Sequence, residues 1–174
     1  MENNQKIVCS NIWKLFGPNE KNVLSNLDQS LSRNEVQEKT GHVVAVKEVS
    51  FSVQKGETFV VMGLSGSGKS TLVRCLSRLI EPTSGLVTID GVDVTKMNNK
   101  ELTDLRRNRM SMVFQHFGLF PHRRVIENIG YGLEIRGVGK KERTEKSMET
   151  LKLVGLDGWD QHYPRELSGG MQQR

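Results

Sequence analysis

The sequence predicts an α/β fold, and three consecutive segments carry the prediction. Residues 58–62 form a short apolar run (Thr-Phe-Val-Val-Met) that favours a buried strand. A glycine-rich loop follows at residues 63–70. The apolar residues after this loop recur at helical spacing: Leu72, Val73, Leu76 and Leu79. The order of strand, loop and helix is typical of a domain in which helices pack on a sheet.

Other apolar runs predict an antiparallel layer of strands at the edge of the sheet. The strands are expected at residues 7–9, 43–46 and 49–53, with a turn at Gly56-Glu57. Residues 86–89 are expected to pair with 92–94 across the turn at Asp90-Gly91. Downstream, the pattern predicts a helix over 100–107, a return to the sheet over 110–114, and two helices on either side of 137–139.

The segment 22–41 predicts a helical hairpin rather than a loose loop. Three leucines keep one face, namely Leu24, Leu27 and Leu31. Ser32 and Glu35 have the spacing of a capping box, and Gly41 suits the C-terminal cap of a helix. Two roles stay open for this hairpin: a surface addition with no part in substrate choice, or a functional element.

Composition excludes several classes of protein. The chain has 174 residues, 36% of them hydrophobic and 26% charged, which is typical of one globular domain. The net charge of +5 comes with interspersed acidic residues and no aromatic platform, so nucleic acid is not an expected partner. No run is long enough to span a membrane, and the polar start is not a signal peptide, so a cytoplasmic protein is expected. Cys9 and Cys75, like His116 and His122, lack metal-ligand spacing.

The loop at 63–70 fills every defined position of the pattern G-x-x-x-x-G-K-[ST]. Its glycines let successive N–H groups converge on phosphate oxygens, and the following helix adds the positive end of its dipole. Lys69 is expected to neutralise the β and γ phosphates, and the Ser70 hydroxyl to bind Mg²⁺. The expected ATP-binding residues are Gly63, Ser65, Gly66, Ser67, Gly68, Lys69, Ser70 and Thr71. The alternative is a Gly/Ser-rich loop that happens to precede a lysine.

Two further motifs follow the loop. The run 112–115 is apolar and ends in Gln115, and the run 167–174 begins Leu-Ser-Gly-Gly. With the loop, they resemble the ATP-binding subunit of ABC transporters. The resemblance implies that Ser168, Gly169 and Gly170 contact the nucleotide held by a second subunit, with Ser168 capping a helix. It also implies that Gln115 binds Mg²⁺ together with Ser70, and that Lys69 and Gln115 act in catalysis.

The resemblance is closest to the ATPase subunits of glycine betaine/proline (quaternary amine) uptake systems. The segments that carry it are 12–18, 22–41, 61–71, 78–85 and 163–168. It implies a P-loop NTPase fold of the ABC type, with a central, mostly parallel sheet, an antiparallel β edge layer and a helical subdomain. It also implies a homodimer on the cytoplasmic face of the membrane, bound to an integral membrane permease and served indirectly by a substrate-binding protein. ATP and Mg²⁺ are the implied cofactors.

The same resemblance divides the chain and supplies a base-stacking residue. Residues 1–115 correspond to a nucleotide-binding core with the insert 22–41. Residues 116–174 correspond to the family's Q-loop and to the helical subdomain, up to and including the signature, which is the Leu-Ser-Gly-Gly run that begins at residue 167. In the family, an Asp-Glu pair and a His follow the signature, so this sequence is expected to be the N-terminal part of a longer transport ATPase and inactive alone. Phe16 stands where the family stacks an aromatic ring on adenine, and Trp13 is the competing candidate.

Two other functions remain as alternatives. The chain could be an ABC ATPase for another cargo or for a soluble repair or translation task. It could also be a P-loop kinase or GTPase, although the signature and Gln115 argue against this and no Asn-Lys-x-Asp motif is present. The apolar residues Phe117, Leu119, Phe120 and Pro121 could pack at a hinge or dock on the permease.

Overall fold

The computed structural model describes residues 4–115 and 117–174. The expectation that His116 binds no metal therefore lies outside the described residues. The chain forms two compact units, Met1–Leu102 and Thr103–Arg174, which are described separately below. The sequence-based division near residue 115 stays a prediction.

The first unit contains a four-stranded antiparallel sheet. Its strands are β1 (Gln5–Phe16), β2 (Val43–Gln54), β3 (Ser84–Ile89) and β4 (Val92–Asp93), arranged in the order β2-β1-β3-β4. The two strands predicted at 43–46 and 49–53 are one continuous strand, with Glu48 between them at φ 54°. The turn between β3 and β4 has positive φ at both Asp90 and Gly91, as a tight two-residue hairpin requires. The predicted antiparallel layer is confirmed.

The insert is a helical hairpin, as predicted. Helix α1 spans Glu20–Ser25 and helix α2 spans Arg33–Thr40. Ser32 and Glu35 form the reciprocal capping box, and Gly41 ends α2 at φ 72°. The apolar side chains of the hairpin pack on the buried residues of β1, α2 and β2: Val23, Leu24, Leu27 and Leu31 against Trp13, Leu15, Val36 and Val44. The insert therefore has its own hydrophobic contact with the sheet.

Two predicted strands are wrong for the described structure. Residues 58–62 and 110–114 have no strand pairing, although Phe59 stacks on Phe51 of β2. Met62 is 86% exposed, where the prediction had the segment 58–62 buried, and Val113 is 98% exposed, where the prediction had 110–114 return to the sheet. A strand needs a neighbouring strand to accept and donate its backbone hydrogen bonds, and no described residue supplies one to either segment. The predicted parallel part of the sheet is therefore absent from the described residues.

The helices of the first unit follow the sheet and the glycine-rich loop. Helix α3 spans Lys69–Leu76 and ends before Leu79, which the sequence pattern placed on the same helix. A short 3₁₀ helix at Val94–Lys96 takes the place of the predicted end of β4. Helix α4 spans Asn99–Asn108 and crosses the boundary between the units. It begins where the Asn98 side chain accepts hydrogen bonds from the N–H groups of residues 100 and 101.

The second unit is helical. Helices α5 (Val125–Ile135) and α6 (Lys140–Leu153) lie on either side of 137–139, as predicted. A 3₁₀ helix at Pro164–Glu166 leads to helix α7 (Gly169–Gln173). The buried core of this unit consists of Val125, Leu151, Leu156 and Leu167. None of the described helices is long and apolar enough to cross a membrane.

Candidate nucleotide-binding site

The glycine-rich loop ends directly in helix α3. Gly66 (φ 77°) and Gly68 (φ 96°) have left-handed backbone, which glycine adopts without steric cost. The Ser67 N–H donates to the Leu64 carbonyl at 3.2 Å and so closes a turn within the loop. The first N–H groups of a helix have no partner within the helix, and the start of α3 is not deeply buried. The loop and helix together provide the backbone donors that an anion requires.

Gly68 also fixes where the loop lies on the sheet. A Cβ atom at this position would overlap the carbonyl oxygen of Ala45 in β2. The close approach of the two backbones is therefore possible only without a side chain at position 68. At Gly66, by contrast, a Cβ atom would meet open space. Sequence reasoning assigned both glycines to the phosphate pattern, but the contact between Gly68 and β2 is a packing requirement that the pattern does not show.

Lys69, the first residue of α3, extends its side chain back along the loop. Its ammonium Nζ donates to the carbonyl oxygens of Gly63 and Leu64, each at 2.7 Å, and lies 3.4 Å from Ser67 Oγ. The charge thus lies within the loop and is held by oxygen acceptors that a phosphate chain could replace. Ser70, next along α3, is exposed. Its hydroxyl oxygen is a ligand of the kind that Mg²⁺ prefers.

The end of β1 carries the aromatic residue predicted to stack on a base. Phe16 is 42% exposed, and the Lys14 ammonium lies 5.1 Å from its ring centroid. Lys14 is itself buried and ion-paired with Glu20 of α1 at 2.8 Å. Trp13, the competing candidate, is only 2% exposed and belongs to the core under the insert. Of the two rings, only Phe16 has a face available to a ligand, and its role in base stacking stays a prediction.

His42 is a residue near Phe16 that sequence reasoning missed. The ring is buried against Gly17, where a Cβ atom would overlap it. Its Nε2 lies 2.7 Å from the Pro18 carbonyl oxygen, and its Nδ1 lies 2.8 Å from the Thr40 carbonyl oxygen. Since both partners are acceptors, a neutral ring donates to one of them and a protonated ring donates to both. A histidine after a helix-ending glycine has no sequence signal that predicts this contact.

Two buried thiols lie in the same unit. Cys9 of β1 and Cys75 of α3 are buried and free of disulfide bonds. Burial raises the pKa of Cys9 to about 12, with a smaller contribution from Cys75. Burial also raises the pKa of Cys75 to about 11. Both side chains are therefore neutral thiols at neutral pH, and their place is in the core rather than in the site.

The signature residues lie in the second unit. Ser168 caps helix α7, and its Oγ accepts from the Met171 N–H at 3.3 Å, as predicted. Gly169 and Gly170 are exposed, with open space where a Cβ atom would lie. The Gln172 side chain ties α7 to the carbonyls of Pro164 and Leu167 at 2.8 and 3.1 Å. The structure thus places Ser168, Gly169 and Gly170 together on an accessible surface.

Gln115 is also part of the second unit, where it is exposed. The described residues contain no group of three His, Cys, Asp or Glu side chains that could hold a metal ion. At the loop itself, the exposed Ser70 offers a hydroxyl oxygen to a cation. The pairing of Ser70 with Gln115 on one metal ion stays a prediction.

Comparison with known proteins identifies the family. The family model described as "ABC transporter" matches residues 46–174. The glycine betaine/carnitine transport ATP-binding protein GbuA of Listeria monocytogenes is 53% identical over 97% of this chain and 43% of its own length. The glycine betaine transport ATP-binding protein OpuAA of Bacillus subtilis is 52% identical over 97% of this chain and 40% of its own length. ProV of Escherichia coli, a glycine betaine/proline betaine transport ATP-binding protein, is 48% identical over 97% of this chain.

The fold comparison agrees with the sequence comparison. A dimeric post-hydrolysis structure of the ATP-binding cassette MJ0796 bound to ADP and Pi has a TM-score of 0.77 and 30% identity. It matches 96% of this chain and 65% of the MJ0796 chain. The chain spans 40% to 43% of the length of the GbuA and OpuAA relatives. The predicted ABC-type fold class and the resemblance to quaternary-amine uptake subunits are confirmed by these matches, although the parallel part of the sheet is absent from the described residues. Since the family model matches well over half of its residues, the chain belongs to the ABC transporter family.

Proposed function

We propose that this chain binds MgATP at residues 63–71 as the ATP-binding part of an importer for quaternary amines. The observation that carries the proposal is the glycine-rich loop, in which the Lys69 ammonium lies against the carbonyl oxygens of Gly63 and Leu64 at the start of α3. This arrangement combines a fixed cation with backbone donors, which is the requirement for holding a polyphosphate. Family membership supports the proposal, because the matched proteins are described as ATP-binding.

The roles of the other residues follow from their positions. Phe16 offers its exposed ring to adenine, and the loop N–H groups of Ser65 to Thr71 bind phosphate oxygens. Ser70 and Gln115 would hold Mg²⁺, which supplies charge neutralisation at the phosphates when bound. Lys69 would stabilise the charge that develops during hydrolysis.

The signature would complete the site of a second copy. Ser168, Gly169 and Gly170 form an accessible surface at the start of α7, with two small residues that let another chain approach. We infer that this surface contacts the γ-phosphate held by the loop of the partner in a homodimer. The MJ0796 cassette, described as dimeric, supports this arrangement. ATP binding would then close the dimer, and hydrolysis would reopen it.

The partners and the cargo rest on the relatives. We propose that the dimer binds an integral membrane permease at the cytoplasmic face and works indirectly with a substrate-binding protein. Relatives that match 97% of this chain are described as transporting glycine betaine, carnitine, proline betaine or trimethylamine N-oxide. A methionine import protein matches only 76% of it. This difference favours a small quaternary amine or amine oxide over other cargoes.

Replacement of Lys69 by alanine tests nucleotide binding. Because Lys69→Ala removes the cation from the loop, ATP binding measured by calorimetry should weaken by about 2–4 kcal/mol. Lys152→Ala is the matched control, since Lys152 is exposed at the end of α6 in the other unit. Equal ATP affinity of the unmodified chain and Lys69→Ala would overturn the proposal.

A further inference from the structure

The insert lies against the nucleotide loop. Arg33, the first residue of α2, extends its guanidinium to the loop, where Nη1 lies 3.5 Å from the carbonyl oxygen of Ser67. Both residues belong to the first unit. This contact joins the insert to a loop that the phosphate pattern treats as a separate element, so the position of Arg33 requires an explanation.

The start of α2 is held firmly in this position. The Lys47 ammonium of β2 donates to the carbonyl oxygens of Gln29 and Leu31, at 2.7 and 3.0 Å. Ser32 and Glu35 then close the capping box, with the Ser32 N–H donating to Glu35 at 2.8 Å. Val36, one turn into the helix, is 2% exposed within the core. The backbone at residue 33 is therefore fixed on both sides relative to β2.

The charge of Arg33 has no acidic partner in the described part of the chain. Ion pairs in the first unit involve other cations: Lys6, Lys14, Arg78 and Lys96. The loop at 63–70 contains no carboxylate either. A guanidinium keeps its charge at all physiological pH values and has five N–H donors, of which the Ser67 carbonyl uses one. Arg33 is exposed, so its remaining donors are accessible to a ligand.

We propose that Arg33 is a second cation of the nucleotide site, supplied by the insert, which acts on the phosphate chain of ATP. This inference rests on the proposed binding of ATP at the loop. Nucleotide phosphates would attract a guanidinium beside the loop, and Arg33 can form bidentate hydrogen bonds to phosphate oxygens. The insert is then part of the binding site, which decides between the two roles that its sequence left open.

Substitutions on α2 provide the test. Arg33→Ala should weaken ATP binding about three- to fivefold, which is the upper part of the range for an exposed charge interaction. The loss should shrink at high salt, because salt screens exposed charges. Arg33→Lys keeps the charge and should restore most of the affinity. Lys39→Ala is the matched control, since it removes a cation from the last turn of the same helix. The pKa of Glu35 is lowered mainly by hydrogen bonds from Ser32 and less by the charge of Lys39, so the interaction of Lys39 lies within α2.

Three results would overturn the inference. The first is an ATP affinity of Arg33→Ala equal to that of the unmodified chain, and the second is a loss of ATP affinity in Lys39→Ala as large as that in Arg33→Ala. The third is a urea midpoint of Arg33→Ala that falls below that of the unmodified chain by the same amount with and without ATP. The first two would show that no specific contact exists, and the third that Arg33 is structural. Lys69→Ala in the same assay separates this outcome from failure of the proposed function. If the unmodified chain binds ATP and Lys69→Ala does not, the loop is the site whatever Arg33 does.

Discussion

Adding one methyl group at Gly68 should destabilise the first unit far more than adding one at Gly66. Both glycines have positive φ, so alanine at either position is strained by roughly 1–2 kcal/mol, partly offset by its lower entropy in the unfolded chain. At position 68 the new Cβ atom also overlaps the Ala45 carbonyl, whereas at 66 it meets open space. Overpacking of this kind adds about 1–3 kcal/mol. The two variants should differ by that amount.

Urea unfolding measures the difference. The chain has two tryptophans, so a Trp159→Phe background leaves Trp13 as a fluorescent reporter in the core of the first unit. With a urea dependence of about 1–3 kcal/mol per molar, the midpoint of Gly68→Ala should lie about 1 M below that of Gly66→Ala. Indistinguishable midpoints would show that the approach of the loop to β2 is not constrained by position 68, and the packing argument would fail.

Three other outcomes are expected. Ser168→Arg should leave ATP binding by single subunits unchanged and abolish ATP-driven dimerisation, because a bulky cation would occupy the start of α7. Sedimentation with and without ATP, under conditions that block hydrolysis, tests this. Undiminished dimerisation would show that Ser168 is only a helix cap. Burial holds the pKa of Cys9 at about 12 and of Cys75 at about 11, above the ordinary value of 9.0. The neutral thiols therefore stabilise the fold fully below pH 9.0, and each loses about 1.4 kcal/mol per pH unit as pH rises towards its folded value. Urea midpoints should fall in that window but not in a Cys9→Ala/Cys75→Ala variant, and parallel profiles would contradict this cause. Ser32→Ala should destabilise α2 by about 1 kcal/mol, because it removes the cap that Ser32 and Glu35 form. Hydrogen exchange of the α2 amides measures this loss. Unchanged protection of these amides would show that the cap does not stabilise the helix.

Local features of the fold were predictable because their causes lie within a few residues. The capping box at Ser32 and Glu35, the left-handed Gly41 and the Asp90-Gly91 hairpin each depend on short-range backbone geometry. The same holds for the Ser168 cap, whose hydroxyl meets an N–H three residues later. Such features are set by side chains next to one another in sequence, so they do not require knowledge of the rest of the fold.

Features that depend on a distant partner were not predictable. The run 58–62 has the composition of a buried strand, but burial depends on neighbours that its own pattern cannot specify. The overlap of a Cβ at Gly68 with Ala45, and the contact of Arg33 with Ser67, join residues far apart in sequence. The glycine pattern selects the loop at 63–70 as a group, and the role of its residues in phosphate binding stays a prediction, but the pattern does not show the packing that holds the loop.

The two backbone contacts of His42 have a consequence for the length of the chain between them. The ring lies against the carbonyls of Pro18 and Thr40, which are the first and last residues of the excursion that contains α1 and α2. Because the ends meet at one side chain, added residues only enlarge a loop that is already closed, and doubling such a loop costs about 0.6 kcal/mol. A change in the length of this excursion should therefore leave Phe16 in place, provided that it spares residues 27–31, which pack on the core and are bound by Lys47.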